Sequence, residues 1–177
     1  MTETDTSPSL NLVLIGMPGS GKTTLGRRFA IRHGLAFVDT DTLIERRHGK
    51  SLQELVNEGG PDALLAAEES ALLALDRRGA VIATGGSAIY SDAGMRALGR
   101  NGFRVFLDVP LAELRQRLGD TAERGLLIRR GQGLDALYRE RLPLYRRHAD
   151  ISIDCGGLDE DEALRTLESR VVPRLFG

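Results

Sequence analysis

Cysteine is nearly absent. The chain has one, Cys155, which excludes an internal disulfide framework and fits a reducing compartment. Long apolar runs are missing as well. None approaches the roughly 20 residues needed to cross a bilayer, and residues 1–9 have neither the basic nor the apolar region of a signal peptide. A cytoplasmic location and no membrane partner are therefore expected. Neither sign of charge dominates: the net charge is -1, so nothing in the balance calls for nucleic acid or an anionic surface. Histidine is sparse, and His33, His48 and His148 are too scattered to suggest a metal site. Lysine occurs only at Lys22 and Lys50, and the rest of the 24 basic side chains are arginine. A lysine at position 22 is thus conspicuous.

The 177 residues suit one domain with a substantial core. Residues 1–9, rich in Thr, Ser and acid, read as a disordered tail. No repeat or linker divides 10–177, which reads as a single domain. Leu12-Val13-Leu14-Ile15 is a short apolar run ending at glycine, the pattern of a strand buried on both faces. A helix over 23–33 follows, stopped by Gly34, and then a strand over 36–38 ending at Asp39. Further helices are expected over 42–48, from Ser51 with a Ser-x-x-Glu capping box, and from Pro61 to Arg78. Strands are expected at 80–83, 103–107 and 151–153, and helices at 111–118, 134–148 and 159–175, the last interrupted at Pro173. The periodicity of 119–133 is weak. Strand–helix alternation argues for an α/β fold, a mostly parallel sheet covered by helices on both faces. Ligands of such sheets sit beyond the strands' carboxyl ends. The segments after Gly16, Asp39 and Thr84 should therefore converge.

Gly16-Met17-Pro18-Gly19-Ser20-Gly21-Lys22-Thr23 matches G-x-x-x-x-G-K-[ST] in full, with an apolar strand before it and a helix after. The glycines allow a tight turn with amides facing inward, and these amides and the helix N-terminus bind phosphate oxygens. Gly16, Gly19, Ser20, Gly21, Lys22, Thr23 and Thr24 are the candidate ATP contacts. Lys22 would neutralise the β- and γ-phosphates and Thr23 would ligate Mg²⁺. The loop alone does not name the phosphoryl acceptor, since GTPases, motor ATPases and small-molecule kinases share it.

Asp39-Thr40-Asp41 follows the second strand. In a strand-like segment alternate residues face the same way, which would aim both carboxylates at one site. Asp39 would then hold Mg²⁺, largely through water. Asp41 has two readings: it orients the attacking hydroxyl and takes its proton, or it is the N-cap of the helix over 42–48.

Taken in order, the phosphate loop, Asp39-Thr40-Asp41-x-x-Ile44-Glu45, Gly49-x-Ser51-Leu52-x-Glu54, Ala83-Thr84-Gly85-Gly86, Arg117, Arg124 and Arg141-x-Pro143-Leu144-Tyr145 resemble shikimate kinase, of the nucleoside-monophosphate-kinase-like P-loop enzymes. The resemblance runs from about Asn11 to Asp154. It implies a three-layer α/β/α P-loop fold with a five-stranded parallel sheet of order 2-3-1-4-5, and a lid at about 119–130. By the same resemblance, Asp39 serves Mg²⁺ and Asp41 meets the acceptor hydroxyl. Gly85 and Gly86 line the acceptor pocket, Arg117 lies against adenine, Arg124 reaches the phosphates from the lid, and Arg141 grips the acceptor carboxylate. Lys22, Asp41 and Arg124 are the catalytic candidates. ATP and a small hydroxylated acceptor are the expected partners of a monomer.

Two departures fall in the acceptor half. The family's Phe-Arg-x-x-Glu is Leu64-Leu65-Ala66-Ala67-Glu68 here, which puts Leu65 where an arginine would share the carboxylate with Arg141. The third pocket glycine is Ser87. A charged hydrogen bond is worth about 1.5–3 kcal/mol, so an unreplaced arginine would cost about ten- to a hundredfold in affinity. Arg46, Arg47 and Arg96 are candidate replacements. The alternative is a pocket reshaped for another small hydroxy acid or polyol of the gluconate type.

Overall fold

The computed structural model describes residues 10–119 and 133–177. The tail expected over 1–9, Arg124, and all of the lid range beyond Gly119 lie outside the described residues.

Five strands form one parallel sheet: β1 (Asn11–Ile15), β2 (Ala36–Asp39), β3 (Ala80–Ala83), β4 (Gly102–Asp108) and β5 (Ile151–Asp154), in the order β2-β3-β1-β4-β5. Central β1 is covered on both faces. Leu12, Val13, Leu14 and Ile15 are fully buried, which is why that segment is apolar without alternation. Among the described residues seven α-helices connect or flank the strands: α1 (Lys22–His33), α2 (Thr40–His48), α3 (Leu52–Leu73), α4 (Asp92–Arg100), α5 (Leu111–Leu118), α6 (Leu134–His148) and α7 (Glu160–Leu175). Helices α1 and α7 pack on each other and on β1, while α4 packs on β4 and α3, giving the helix–sheet–helix layering expected. The core runs through the sheet to Leu114, Leu137, Leu167 and Val171, with Phe106 stacked on Tyr145 at 5.1 Å between ring centroids. A smaller apolar cluster of Ile44, Ala67 and Ala71 fixes α2 on α3.

The local signals act as their chemistry dictates. Gly34 closes α1 in the left-handed conformation. Ser51 and Glu54 form the reciprocal capping box that starts α3. Four expectations need correction. Helix α2 begins at Thr40, not Thr42, so Asp39 and not Asp41 is its N-cap. The helices expected from Ser51 and from Pro61 form one element, α3, bent at Gly60 (φ 74°), and it ends at Leu73 rather than Arg78. Pro61 stands in the first turn beyond that bend, where its missing N–H costs least. Helix α4, capped by the Ser91 side chain on the Gly94 amide, was not anticipated, although Ser91-Asp92 is an ordinary start signal. Pro173 does not interrupt α7, which runs on to Leu175.

Candidate active site

Strand β1 ends at Ile15 and the chain turns at once. Gly16 has φ 152°, and a Cβ there would sit 2.9 Å from the Leu107 carbonyl oxygen, so only glycine lets the loop leave the sheet against β4. Gly19 and Gly21 also take positive φ, and Gly21 is the N-cap of α1. No side chain caps α1 and its first turn holds no acid. The positive helix end is thus left to an external anion. Lys22 is buried, and its Nζ donates to the Gly16 and Met17 carbonyls at 2.8 Å each. Burial pushes the Lys22 ammonium down to about 8, opposed by the nearby Asp41 carboxylate and helped by the Arg141 charge. A triphosphate would offer Nζ better acceptors than loop carbonyls and would restore the stability of its charge.

A cleft of about 670 Å³ lies over this loop, lined by Gly19–Leu25, Arg117 and the segment Cys155, Leu158, Asp159, Glu160 and Ala163. Of the candidate ATP contacts, Gly19, Ser20, Gly21, Lys22, Thr23, Thr24 and Arg117 line it and Gly16 does not. Arg117 is steered there by Glu113 one turn earlier, 3.3 Å away, and reaches the Gly19 carbonyl at 3.5 Å. The wall after β5 was missed. Cys155 is part of that wall as well as a buried thiol, which burial pushes up to about 11. Its place beyond the carboxyl end of the last strand was the available signal.

The Thr23 hydroxyl donates to Asp39 Oδ2 at 2.9 Å. Asp39 Oδ1 meanwhile accepts from the amides of Asp41 and Thr42, at 3.1 and 3.3 Å. One oxygen thus caps α2 while the other stands beside the hydroxyl. A hydroxyl and a carboxylate oxygen this close are hard donors that fit Mg²⁺ with water completing its shell. Among the described residues no cluster of three or more His, Cys, Asp or Glu could hold a metal on its own.

Asp41 lies in the first turn of α2, so helix geometry and not strand alternation sets its direction. Its Oδ1 is buried without a hydrogen-bond partner. Burial, then the Asp39 charge, push its carboxyl up to about 6, against the pull of Lys22. It faces a pocket of about 240 Å³ lined by Pro18, Gly19, Lys22, Thr23, Asp39, Asp41, Leu52, Glu68, Thr84, Gly86, Ser87 and Arg141. This pocket shares Gly19, Lys22 and Thr23 with the nucleotide cleft. The two halves of the site meet there.

The loop after β3 is pinned from several sides. The Gly85 amide donates to Thr40 Oγ1 at 2.9 Å, and Tyr145 Oη donates to the Gly86 carbonyl at 2.6 Å. A Cβ on Gly85 would lie 2.5 Å from Asp41 Oδ1 and 2.6 Å from Glu68 Oε1. Gly85 therefore does not line the pocket itself but lets two carboxylates close over it. Arg141, 2 % exposed, stacks over the Tyr90 ring at 5.2 Å and donates from Nε to Tyr90 Oη at 3.2 Å.

The departures at Leu65 and Ser87 can now be located. Ser87 lines the pocket, and its Oγ donates to Glu68, 2.7 Å from both carboxylate oxygens. Glu68, 3 % exposed, was not among the candidates, though its carboxylate faces the pocket. Leu65 lines an adjoining recess with Glu68, Ser87 and Tyr90. Arg46 and Arg47 line a different groove, along the β2 edge, and Arg96 is exposed on α4. Among the described residues no arginine but Arg141 lines the acceptor pocket.

A protein-family model described as "Shikimate kinase" matches residues 18–171. A shikimate kinase of Aromatoleum aromaticum is 37% identical over 163 residues, covering 90% of this chain and 93% of the relative. One of Thermobifida fusca is 41% identical over 154 residues, covering 85% and 88%. Among solved structures, shikimate kinase from Acinetobacter baumannii in complex with shikimate superposes with a TM-score of 0.87 at 29% identity, over 97% of each chain.

Proposed function

The chain belongs to the shikimate kinase family, and from that premise we propose that it transfers the γ-phosphoryl group of MgATP to a hydroxyl of shikimate, yielding ADP and shikimate 3-phosphate. One observation carries the reading. Asp41, with one carboxylate oxygen buried without a partner, and Arg141 line one small pocket, and that pocket meets the phosphate loop at Gly19, Lys22 and Thr23. A hydroxy acid has the two groups this pair would hold. Its carboxylate would take the Arg141 fork, and its hydroxyl would take Asp41 Oδ1.

Phosphoryl transfer asks a protein chiefly for alignment and charge stabilisation. The loop amides and the α1 N-terminus would hold the phosphate chain, and Lys22 would leave the Gly16 and Met17 carbonyls to follow charge onto the γ-oxygens. Asp41, with its carboxyl near 6, is mostly ionised at neutral pH yet basic enough to accept the hydroxyl proton. Such a base contributes about 10²–10⁴-fold. Thr23 and Asp39 would hold the nucleotide's Mg²⁺, which when bound offsets charge on the β- and γ-phosphate oxygens. Arg117 would lie along the base, and Gly86 and Ser87 would shape the acceptor wall. Arg124 keeps its sequence-based assignment to the phosphates.

ADP release by the purified chain, coupled to NADH oxidation, tests the reading over a panel of shikimate, gluconate and related hydroxy acids. Saturable turnover on shikimate, with the phosphate ester identified by mass spectrometry, is expected. Turnover on gluconate but not on shikimate would overturn it.

A further inference from the structure

The acceptor pocket has an excess of acid. Asp39, Asp41 and Glu68 line it against two cations, Lys22 and Arg141, and Lys22 already belongs to the phosphates. An anionic acceptor entering this pocket meets three carboxyl groups, of which Asp39 is committed to the α2 cap and Thr23, and Asp41 to the hydroxyl. Glu68 has no such commitment. It projects from α3 and is 3 % exposed. Among the described residues no Lys, Arg or His nitrogen lies within 4.0 Å of it, and its only hydrogen-bond partner is the Ser87 hydroxyl, 2.7 Å from each oxygen.

We propose that Glu68, held by Ser87, is a specificity-determining residue that meets the acceptor's carboxylate as a neutral carboxyl group, donating a hydrogen bond beside Arg141 where an ionised side chain would repel it. This deepens the reading above and rests on it.

The groups facing Glu68 make the neutral form accessible. From α2, Asp41 approaches it across Gly85, where a single Cβ would touch both carboxylates at 2.5 and 2.6 Å. From the loop after β3 comes only the Ser87 hydroxyl. From α6 come Arg141, which favours the anion at longer range, and the buried Tyr145 phenol; Tyr90 lies behind Ser87 in the adjoining recess, and Lys22 lines the far side of the pocket. Burial is the largest influence and, with Asp41, pushes the Glu68 carboxyl up to about 7, while Ser87 and Arg141 pull the other way. A bound carboxylate adds negative charge beside it and favours the proton further. A neutral acid kept in a buried site so that it can donate is a known use of such desolvation.

The test is the pH dependence of KM for shikimate at saturating MgATP. If binding requires the protonated form, KM of the wild-type chain rises about eightfold between about pH 6.5 and about pH 8, following the fraction of neutral Glu68. Glu68→Gln carries a permanent donor of the same shape, so its KM should stay near the low-pH value throughout. Asp41 and Lys22 also line this pocket and titrate near the range, but both are unchanged in Glu68→Gln, so the part of the KM rise that disappears in that variant is the part that belongs to Glu68. Ser87→Ala, which removes the bond favouring the anion, should shift the KM rise to higher pH. A wild-type KM for shikimate that is flat over this range would overturn the proposal, and so would a Glu68→Gln variant whose KM rises with pH as the wild type's does. No turnover on shikimate at any pH would instead overturn the reading of the reaction itself.

Discussion

Asp41→Asn separates catalysis from stability at one atom. The substitution keeps the shape of the side chain and removes its charge. Asp41 is not the cap of α2, since Asp39 fills that place, so no cap is lost, only the small favourable charge of an acid in the first turn. Its carboxyl is pushed from 3.8 up to about 6 by burial and by Asp39. At neutral pH the folded chain therefore keeps ionised a group that would rather be neutral. At 1.36 kcal/mol per pKa unit the strain is about 3 kcal/mol, a net figure that already includes the attraction to Lys22, and allowing for residual solvent about 1–3 kcal/mol remains. Because the folded pKa lies above the unfolded one, this penalty is absent below the unfolded pKa, grows as pH rises, and is complete above about 6. Asp41→Asn should thus melt higher than wild type by about 3–8 °C at pH 7.5, and the gain should fade on acidification toward about pH 4. In the same preparations kcat should fall by at least about a hundredfold, as loss of a general base requires. Differential scanning calorimetry at both pH values and the coupled ADP assay at pH 7.5 read the two effects. A lowered melting temperature with unchanged kcat would refute the reasoning and return Asp41 to a structural role.

Lys22→Met should abolish turnover while leaving the circular dichroism spectrum native, because the lost Nζ bonds run only within the loop, to the Gly16 and Met17 carbonyls and the Ser20 hydroxyl; near wild-type rates would remove Lys22 from the chemistry. Asp39→Asn should keep the α2 cap, since Asn also accepts from helix amides, yet raise the Mg²⁺ concentration needed for half-maximal rate; an unchanged Mg²⁺ midpoint would dissociate Asp39 from the metal. Asp39→Ala should add a loss of about 1 kcal/mol in denaturant titration, the usual worth of an N-cap. Gly85→Ala places a Cβ 2.5 Å from Asp41 Oδ1 and 2.6 Å from Glu68 Oε1. It should abolish acceptor turnover while the binding of a fluorescent ATP analogue persists, and an unaltered KM for shikimate would contradict that crowding.

The sequence by itself determined the phosphate loop, the strands that point at it, the helix stop at Gly34 and the capping box at Ser51. These are local matters. Contiguous residues set backbone angles, glycine alone tolerates the positive φ at Gly16, Gly19 and Gly21, and the apolar run of β1 follows from burial on both faces. The direction of Asp41 was less legible, because it depends on whether α2 starts at residue 40 or 42. Two residues of boundary turn a side chain on a helix by about half a circle.

Only the tertiary structure decided that Ser87 bonds Glu68 across 19 positions of chain, that the loop after β5 walls the nucleotide cleft, and that Arg46 and Arg47 belong to the β2 edge and not to the acceptor. None of these pairings leaves a periodic mark, since each arises where the order of strands in the sheet folds distant helices onto one pocket. A carboxyl group's proton affinity is settled in the same way, by what the completed fold sets beside it and how much water it leaves.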